Sequence, residues 1–167
     1  KLHRCYRTTV EIIEFANKVL EKNLLKEFVL PEAVLRHGEP VEYIKDDELI
    51  GNIFKEFKKN IASLAVICRD THHANTIYKK LLTKKEKISR QILHHDENNY
   101  ESGLLVIPVE KARGLEFDTV IIAEMTDENY KKNEMDVKLF YVAVTRALHK
   151  LYIHIPKLKK KATLLPS

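Results

Sequence analysis

Residues 139–148 read Leu-Phe-Tyr-Val-Ala-Val-Thr-Arg-Ala-Leu, an apolar stretch that carries one permanent cation, Arg146. A helix turns by about 100° per residue, so it would place Arg146 on the same face as Leu139 and Val142. A guanidinium group cannot lose its proton, and burial without a partner would cost several kcal/mol. We therefore expect Arg146 to reach an anion at the rim of the fold, either an internal carboxylate or a bound phosphate.

Apolar strand-like runs lie on both sides of this stretch, at residues 62–68, 103–107, 119–123 and 151–155. The first three are nearly continuous, which is typical of parallel strands buried on both faces. Helical spacing predicts helices at about residues 9–22, 46–61, 70–82 and 137–148. Thr8 and Glu11 read as a capping box for the first of them, and Asp70 or Thr71 as the cap of the third. Residues 24–45 are predicted to be a loop with short extended pieces that ends in Val41-Glu42-Tyr43-Ile44, and residues 83–101 are predicted to be irregular. Strands interleaved with helices predict a three-layer α/β domain with a mostly parallel sheet.

The 167 residues make one domain's worth of chain, with 44% hydrophobic and 32% charged residues. This balance is ordinary for a globular protein and excludes a disordered chain. The net charge of +5 permits a nucleic-acid partner without requiring one. Several lysines fall in residues 157–161, so we predict a domain over residues 1–156 and a solvated basic tail at 157–167.

Cys5 and Cys68 lie far apart without CxxC spacing, so neither a zinc site nor a disulfide framework is indicated. The adjacent histidine pairs at 72–73 and 94–95 are predicted to be surface residues rather than metal ligands. No signal peptide or membrane-length apolar run is visible, and we expect a reducing, cytoplasmic location without a membrane partner. The chain starts at Lys1 without an initiator Met, which suggests an excised domain.

Two further stretches could face a ligand. Arg7 precedes the first helix, where it would share an anion with free backbone N–H groups or lie exposed to solvent. Residues 112–118, Ala-Arg-Gly-Leu-Glu-Phe-Asp, connect two core strands. Such a segment is either a simple turn or one of the loop ends at which ligands gather in open α/β sheets.

Three stretches together resemble motifs IV, V and VI of UvrD/Rep-type superfamily-1 helicases. They are Tyr6-Arg7-Thr8-Thr9 before the first helix, residues 112–118, and residues 140–147. Residues 64–69 also resemble the strand before motif V. The resemblance implies the second, C-terminal RecA-like domain of P-loop NTPase type. The sequence lacks its own Walker A loop, GxxxxGK[ST]. In the family, ATP lies in a cleft against an N-terminal RecA-like domain, which supplies the phosphate loop and the carboxylates that mainly hold Mg²⁺.

The resemblance also assigns residues. Arg7 and Arg146 match the arginines that reach the γ-phosphate, Glu116 matches the acid that contacts the ribose, and Gly114 belongs to the same ATP-binding stretch. Arg69 is a candidate nucleic-acid contact, with a surface salt bridge as the alternative. The implied function is the C-terminal motor domain of an ATP-dependent DNA helicase or translocase that moves on single-stranded DNA and is inactive as an isolated fragment.

Motif V departs from the family's T-x-H-x-x-K-G-L-E-F, since Pro108, Glu110 and Arg113 stand at the Thr, His and Lys positions. The family's Thr and His are associated with the nucleic-acid strand. The interval between motifs IV and V is also short. Both features resemble the HelD-like branch, so a HelD-like ATPase that remodels RNA polymerase is one alternative. A non-catalytic interaction module, with Arg7, Glu116 and Arg146 in an internal network, is another.

Overall fold

The computed structural model describes residues 8–25, 27, 36–45, 51, 53, 63–84, 92–94 and 104–166. These residues form a six-stranded sheet whose registered neighbours all run parallel. The strands are β1 (Glu42–Lys45), β2 (Leu64–Cys68), β3 (Ile92–His94), β4 (Leu104–Pro108), β5 (Phe117–Ile122) and β6 (Ala147–Ile155). Their order across the sheet is β1-β6-β5-β2-β4-β3. The predicted parallel α/β sheet is therefore confirmed.

Helices cover both faces of the sheet. They are α1 (Val10–Lys22), α2 (Thr71–Lys84), α3 (Glu134–Val144) and a short 3-10 helix (Val109–Lys111). Alternate residues of β2 enter two different core clusters, because successive strand side chains point to opposite faces. Ala65 and Ile67 join the cluster of α1 and α3, whereas Leu64 and Val66 join the cluster of α2. The domain thus has the three predicted layers.

The start of α1 differs from the predicted capping box by one residue. Thr9, not Thr8, is the N-cap, and its hydroxyl oxygen accepts the Ile12 N–H at 3.3 Å. Glu11 instead accepts the Gly38 N–H at 2.7 Å, which leaves the predicted return contact to the cap unmade. For α2, the predicted cap Asp70 is confirmed, since its carboxylate accepts the His73 N–H at 2.9 Å.

The helix predicted to run through Leu148 ends earlier. α3 stops at Val144 with Thr145 as its C-cap, and Arg146 lies in the turn before β6. Sheet hydrogen bonding explains the difference, because the Phe117 N–H of β5 donates to the Arg146 carbonyl at 2.9 Å. A short apolar run fits a buried strand as well as a helix, and spacing alone cannot separate them.

Other predicted segments also changed. β3 lies within residues 83–101, which we predicted to be irregular. β1 (Glu42–Lys45) coincides with the extended piece predicted at residues 41–44, and it forms an edge strand of the sheet. The predicted helix at 46–61 falls mostly outside the described residues, although Gly51 and Ile53 are helical and Ile53 is buried. Leu151, Ile153 and Ile155 of β6 are buried, as an alternating strand predicts, but Lys150 and His154 are buried too, so the outward face of the strand is not fully exposed.

The end of the chain is not a solvated extension throughout. Residues 157–161 are exposed, as predicted for the lysine run. The residues that follow pack into the main core, where Ala162, Leu164 and Leu165 are each fully buried. The Ala162 N–H donates to the Met125 carbonyl at 2.9 Å. Within the described part of the chain, no helix is both long enough and apolar enough to cross a membrane.

Candidate functional site

The predicted site residues Glu116 and Arg146 immediately precede two neighbouring strands, β5 and β6. Phe117 and Ala147, the first residues of these strands, are register partners. Parallel strands begin at the same edge of a sheet, so this pairing brings the loop before β5 and the turn before β6 together. We call residues 112–117 and 145–148, with Thr8, the amino edge.

The Arg146 side chain is held by three oxygen atoms. Its Nε donates to the Val142 carbonyl at 3.1 Å, and Nη1 donates to the Leu115 carbonyl at 3.1 Å. Nη2 donates to the Thr145 hydroxyl at 3.3 Å. The Val142 carbonyl lies in the last turn of α3, where carbonyls lack partners within the helix. These three acceptors are neutral groups, and together they fix the position of the guanidinium.

The turn before β5 depends on Gly114. This residue has a φ of +81°, a left-handed conformation that glycine adopts without the steric cost of a side chain. A Cβ built there meets no atom within 4 Å, so the backbone conformation, not lack of space, requires glycine. The Leu115 N–H closes the turn on the Ala112 carbonyl at 3.1 Å. The next residue, Glu116, is half-buried.

The start of α1 reaches the same edge. The Thr8 hydroxyl donates to the Ala147 carbonyl at 2.7 Å, directly beside Arg146. Arg7, which precedes Thr8 in the chain, lies outside the described residues. Arg36 also contacts this region, which the sequence did not predict. Its carbonyl accepts the Val10 N–H at 3.1 Å, and its Nη2 donates to the Leu148 carbonyl at 3.2 Å. Arg36 lies in a loop without periodicity, so no sequence signal could have placed it there.

A cluster of polar side chains joins three strands near this edge. The Asp118 N–H donates to Ser63 Oγ at 2.8 Å, and Ser63 Oγ donates to Asp118 Oδ2 at 3.3 Å. His149 Nε2 lies 3.4 Å from Asp118 Oδ1. The aspartate stands between the serine and the histidine, whereas a nucleophilic triad needs the histidine in the middle. We interpret the cluster as a structural link between β2, β5 and β6.

Arg69 lies at the opposite edge of the sheet, where the strands end, which we call the carboxyl edge. Its Nη2 pairs with Asp136 Oδ1 at 3.1 Å, and its Nε donates to the Asn129 carbonyl at 2.8 Å. The side chains of Arg69 and Asp136 are 23% and 5% exposed, so the ion pair is partly buried. Its role as a nucleic-acid contact stays a prediction, and the structure separates it from Glu116 and Arg146.

The described residues contain few groups suited to metal binding or thiol chemistry. Within them, no group of three or more His, Cys, Asp or Glu side chains could hold a metal ion. His73 Nδ1 contacts Asp70 Oδ1 at 2.6 Å, and the neighbouring His72 is exposed. Cys68 is fully buried, and this burial raises the pKa of its thiol well above the usual value.

The parallel sheet, covered by helices on both faces, defines a three-layer α/β domain. Residues 103–154 match the family model described as the UvrD-like helicase C-terminal domain. The matched range contains Gly114, Glu116 and Arg146, and it confirms the resemblance drawn from motifs V and VI.

The chain also aligns with two solved structures. One is the C-terminal domain of a possible DNA helicase from Lactobacillus plantarum WCFS1, with a TM-score of 0.69 and 22% identity. That similarity covers 95% of this chain and 91% of the other, and it confirms the fold. The C-terminal domain of the DEAD-box protein Dbp5 aligns with a TM-score of 0.45 and 17% identity over 71% of this chain and 77% of the other. No curated protein sequence matches the chain.

Proposed function

We propose that this chain is the C-terminal motor domain of an ATP-dependent DNA helicase or translocase. In this proposal, Arg146 and Arg7 contact the γ-phosphate of ATP bound between this domain and an N-terminal RecA-like domain. The observation that supports it best is the meeting of Gly114, Glu116 and Arg146 at the amino edge, with Thr8 hydrogen-bonded one residue from Arg146. Motifs far apart in the chain thus converge on one edge.

The chemistry of the amino edge fits a nucleoside triphosphate. Arg146 offers a guanidinium group, which binds phosphate oxygens through paired N–H donors. Glu116 offers a carboxylate, which can accept hydrogen bonds from ribose hydroxyls. The open space beside Gly114 would let a ligand approach the backbone. Mg²⁺ would be held mainly by the N-terminal domain.

The mechanism follows from how Arg146 is held. Bound ATP supplies a terminal phosphoryl group, and its transfer spreads negative charge over the phosphoryl oxygens. Arg146 would stabilise that charge from a position already fixed by Val142, Leu115 and Thr145. A preorganised cation needs little reorganisation as charge develops, which is the main source of electrostatic catalysis. Arg7 would add a second guanidinium in the same role.

The same contact would couple the nucleotide state to movement. Arg146 is hydrogen-bonded both to the end of α3 and to the turn before β5. A displacement of its side chain would therefore be transmitted to both elements. Closure of the two RecA-like domains on ATP, and opening after hydrolysis, would then alternate. A motor that grips single-stranded DNA across both domains would step along it in this way.

Substitution of Arg146 in the intact protein tests the proposal. Arg146→Gln is expected to lower kcat for ATP hydrolysis by about 10³ to 10⁵ while ATP still binds. Lys138→Gln is a matched control, because Lys138 is a basic residue of the same helix whose partner is the exposed Glu134 at 2.8 Å. ATP affinity and thermal unfolding are measured beside turnover. An Arg146→Gln variant that unfolds at a lower temperature but keeps its kcat would instead support the interaction module.

A further inference from the structure

We propose that residues 157–161, Lys-Leu-Lys-Lys-Lys, form a binding surface for a single-stranded nucleic acid. We call these residues the basic strap. They follow β6 after one residue, Pro156, at the carboxyl edge of the sheet. The inference deepens the proposed function and rests on it for its biological role, since it names the surface that would hold the strand. Binding at the strap needs no nucleotide.

The strap is exposed but fastened at both ends. The Lys159 N–H donates to the Pro156 carbonyl at 3.1 Å, and the Ala162 N–H donates to the Met125 carbonyl at 2.9 Å. Thr163 adds hydrogen bonds from its N–H and its hydroxyl to Asp127, each at 2.7 Å. Because the backbone is already held, a ligand would not have to order it, and that part of the entropic cost of binding is removed.

The lysines of the strap differ in their surroundings. Lys159 pairs with Glu128 at 3.3 Å, so we do not count it toward the ligand. Lys161 has neutral neighbours, with its Nζ 3.2 Å from the Pro166 carbonyl and 5.7 Å from the centre of the Tyr43 ring. Lys157 and Lys160 are exposed beside it. These lysines offer a polyanion cationic contacts whose formation releases counterions.

Apolar side chains among the lysines favour a single strand over a duplex. Leu158 is 91% exposed in the middle of the strap, and Tyr43 is 40% exposed beneath Lys161. Unpaired bases present flat faces that can stack on the Tyr43 ring and make apolar contact with Leu158, whereas a duplex keeps its base faces stacked inside. Lysines alone would bind any polyanion, so the apolar neighbours provide the reason for this assignment.

The position of the strap also fits a motor. Arg146 precedes β6 and the strap follows it, so one strand of nine residues joins the two surfaces. At about 3.3 Å per residue this separates them by roughly 30 Å. A nucleotide at the amino edge and a strand at the strap would therefore not compete for space. If β6 moves as a rigid unit, the amino edge and the basic strap would move together.

Binding of a labelled oligothymidylate to the chain, followed by fluorescence anisotropy over a range of salt, tests the proposal. K157Q/K160Q/K161Q is expected to weaken binding by about tenfold or more and to reduce the slope of log K against log salt by about 2. K18Q/K79Q/K80Q removes the same charge from exposed lysines of α1 and α2, and it should stay within about twofold of the parent. K157R/K160R/K161R should retain binding.

Equal losses in the two glutamine variants would overturn the proposal, because net charge alone would then explain binding. Poly-glutamate serves as a second probe. A loss by the strap variant that appears with poly-glutamate but not with oligothymidylate would also overturn it and would point to an acidic protein. All measurements are made without ATP, so their failure is distinguishable from a failure of the Arg146 experiment.

Discussion

Gly38 lies so close to the start of α1 that a Cβ atom on it would be 2.5 Å from Thr9 Cγ2. Its N–H donates to Glu11 at 2.7 Å, and this hydrogen bond holds the loop across the first turn of the helix. The contact matters for the amino edge, because Thr8 and the loop residue Arg36 both bond to the start of β6.

Gly38→Ala should therefore destabilise the protein. Overpacking of this kind costs about 1–3 kcal/mol, which corresponds to a fall in Tm of roughly 2–4 °C per kcal/mol. Gly51→Ala is the matched control, since Gly51 is helical and a Cβ there meets no atom within 4 Å. Alanine should stabilise that helix by about 0.5–1 kcal/mol. Thermal unfolding of both variants checks the pair, and a Gly38→Ala variant as stable as the parent would contradict the close contact.

Glu11 gives this contact a dependence on pH. The hydrogen bond from the Gly38 N–H, followed by that from His37, lowers the pKa of Glu11 below its usual 4.5. A lowered pKa means that the stabilisation is present above pH 4.5 and is lost as pH falls through the folded-state pKa. Glu11→Gln should lower Tm at neutral pH, and its difference from the parent should shrink below about pH 4.5. A difference that stays constant across this range would argue against it.

The sequence predicted the residues of the candidate site only where they belong to the helicase-like motifs. Gly114, Glu116 and Arg146 belong to recognisable stretches. The apolar surroundings of Arg146 predicted an anionic partner, whereas the three acceptors described above are carbonyl and hydroxyl oxygens. The contact of Arg36 with Leu148 joins residues 112 positions apart and involves a backbone carbonyl. Side-chain identity carries no information about such an acceptor, so only the fold could reveal it.

At the level of elements, the Arg69–Asp136 ion pair fastens the end of β2 to the start of α3. Asp136 Oδ2 also accepts the Lys131 N–H at 2.8 Å, so one carboxylate joins a strand, a loop and a helix. The C-terminal end of α3 leads to the turn that contains Arg146. The pair therefore fixes the helix that positions the proposed phosphate contact.

A double-mutant cycle measures this link. Asp136→Ala should be strongly destabilising, by about 3–5 kcal/mol, because it leaves the half-buried Arg69 without its carboxylate. Arg69→Ala alone should also destabilise, and the double variant should lose less than the sum, with a coupling of about 0.5–3 kcal/mol. Additive losses in urea unfolding would show that the pair does not act as a unit.

Element boundaries were predicted well where one pattern dominates and poorly where two compete. The continuous apolar runs of β2, β4 and β5 identified the core strands because both of their faces are covered. The run from Leu139 to Leu148 belongs partly to α3 and partly to β6, and its apolar residues suit both. β3 is an edge strand of three residues, too short to give a periodic signal.

On the scale of the whole molecule, the sheet separates two surfaces of different chemistry. The amino edge has the guanidinium of Arg146, the carboxylate of Glu116 and the accessible backbone at Gly114. The carboxyl edge has the basic strap and the Arg69–Asp136 ion pair. The HelD-like alternative stays a prediction, since it keeps the amino edge and exchanges the nucleic-acid strand for a protein partner. Both versions require the nucleotide at the edge where β5 and β6 begin.

Hydrogen exchange of the intact protein, with and without a non-hydrolysable ATP analogue, tests that requirement most directly. The account predicts slower exchange in peptides that cover residues 112–117 and 145–148 when the analogue is bound. Peptides that cover residues 126–131, at the carboxyl edge, should exchange at an unchanged rate. Protection at residues 126–131 with no change at 112–117 and 145–148 would place the nucleotide at the wrong edge and contradict the proposed role of Arg146.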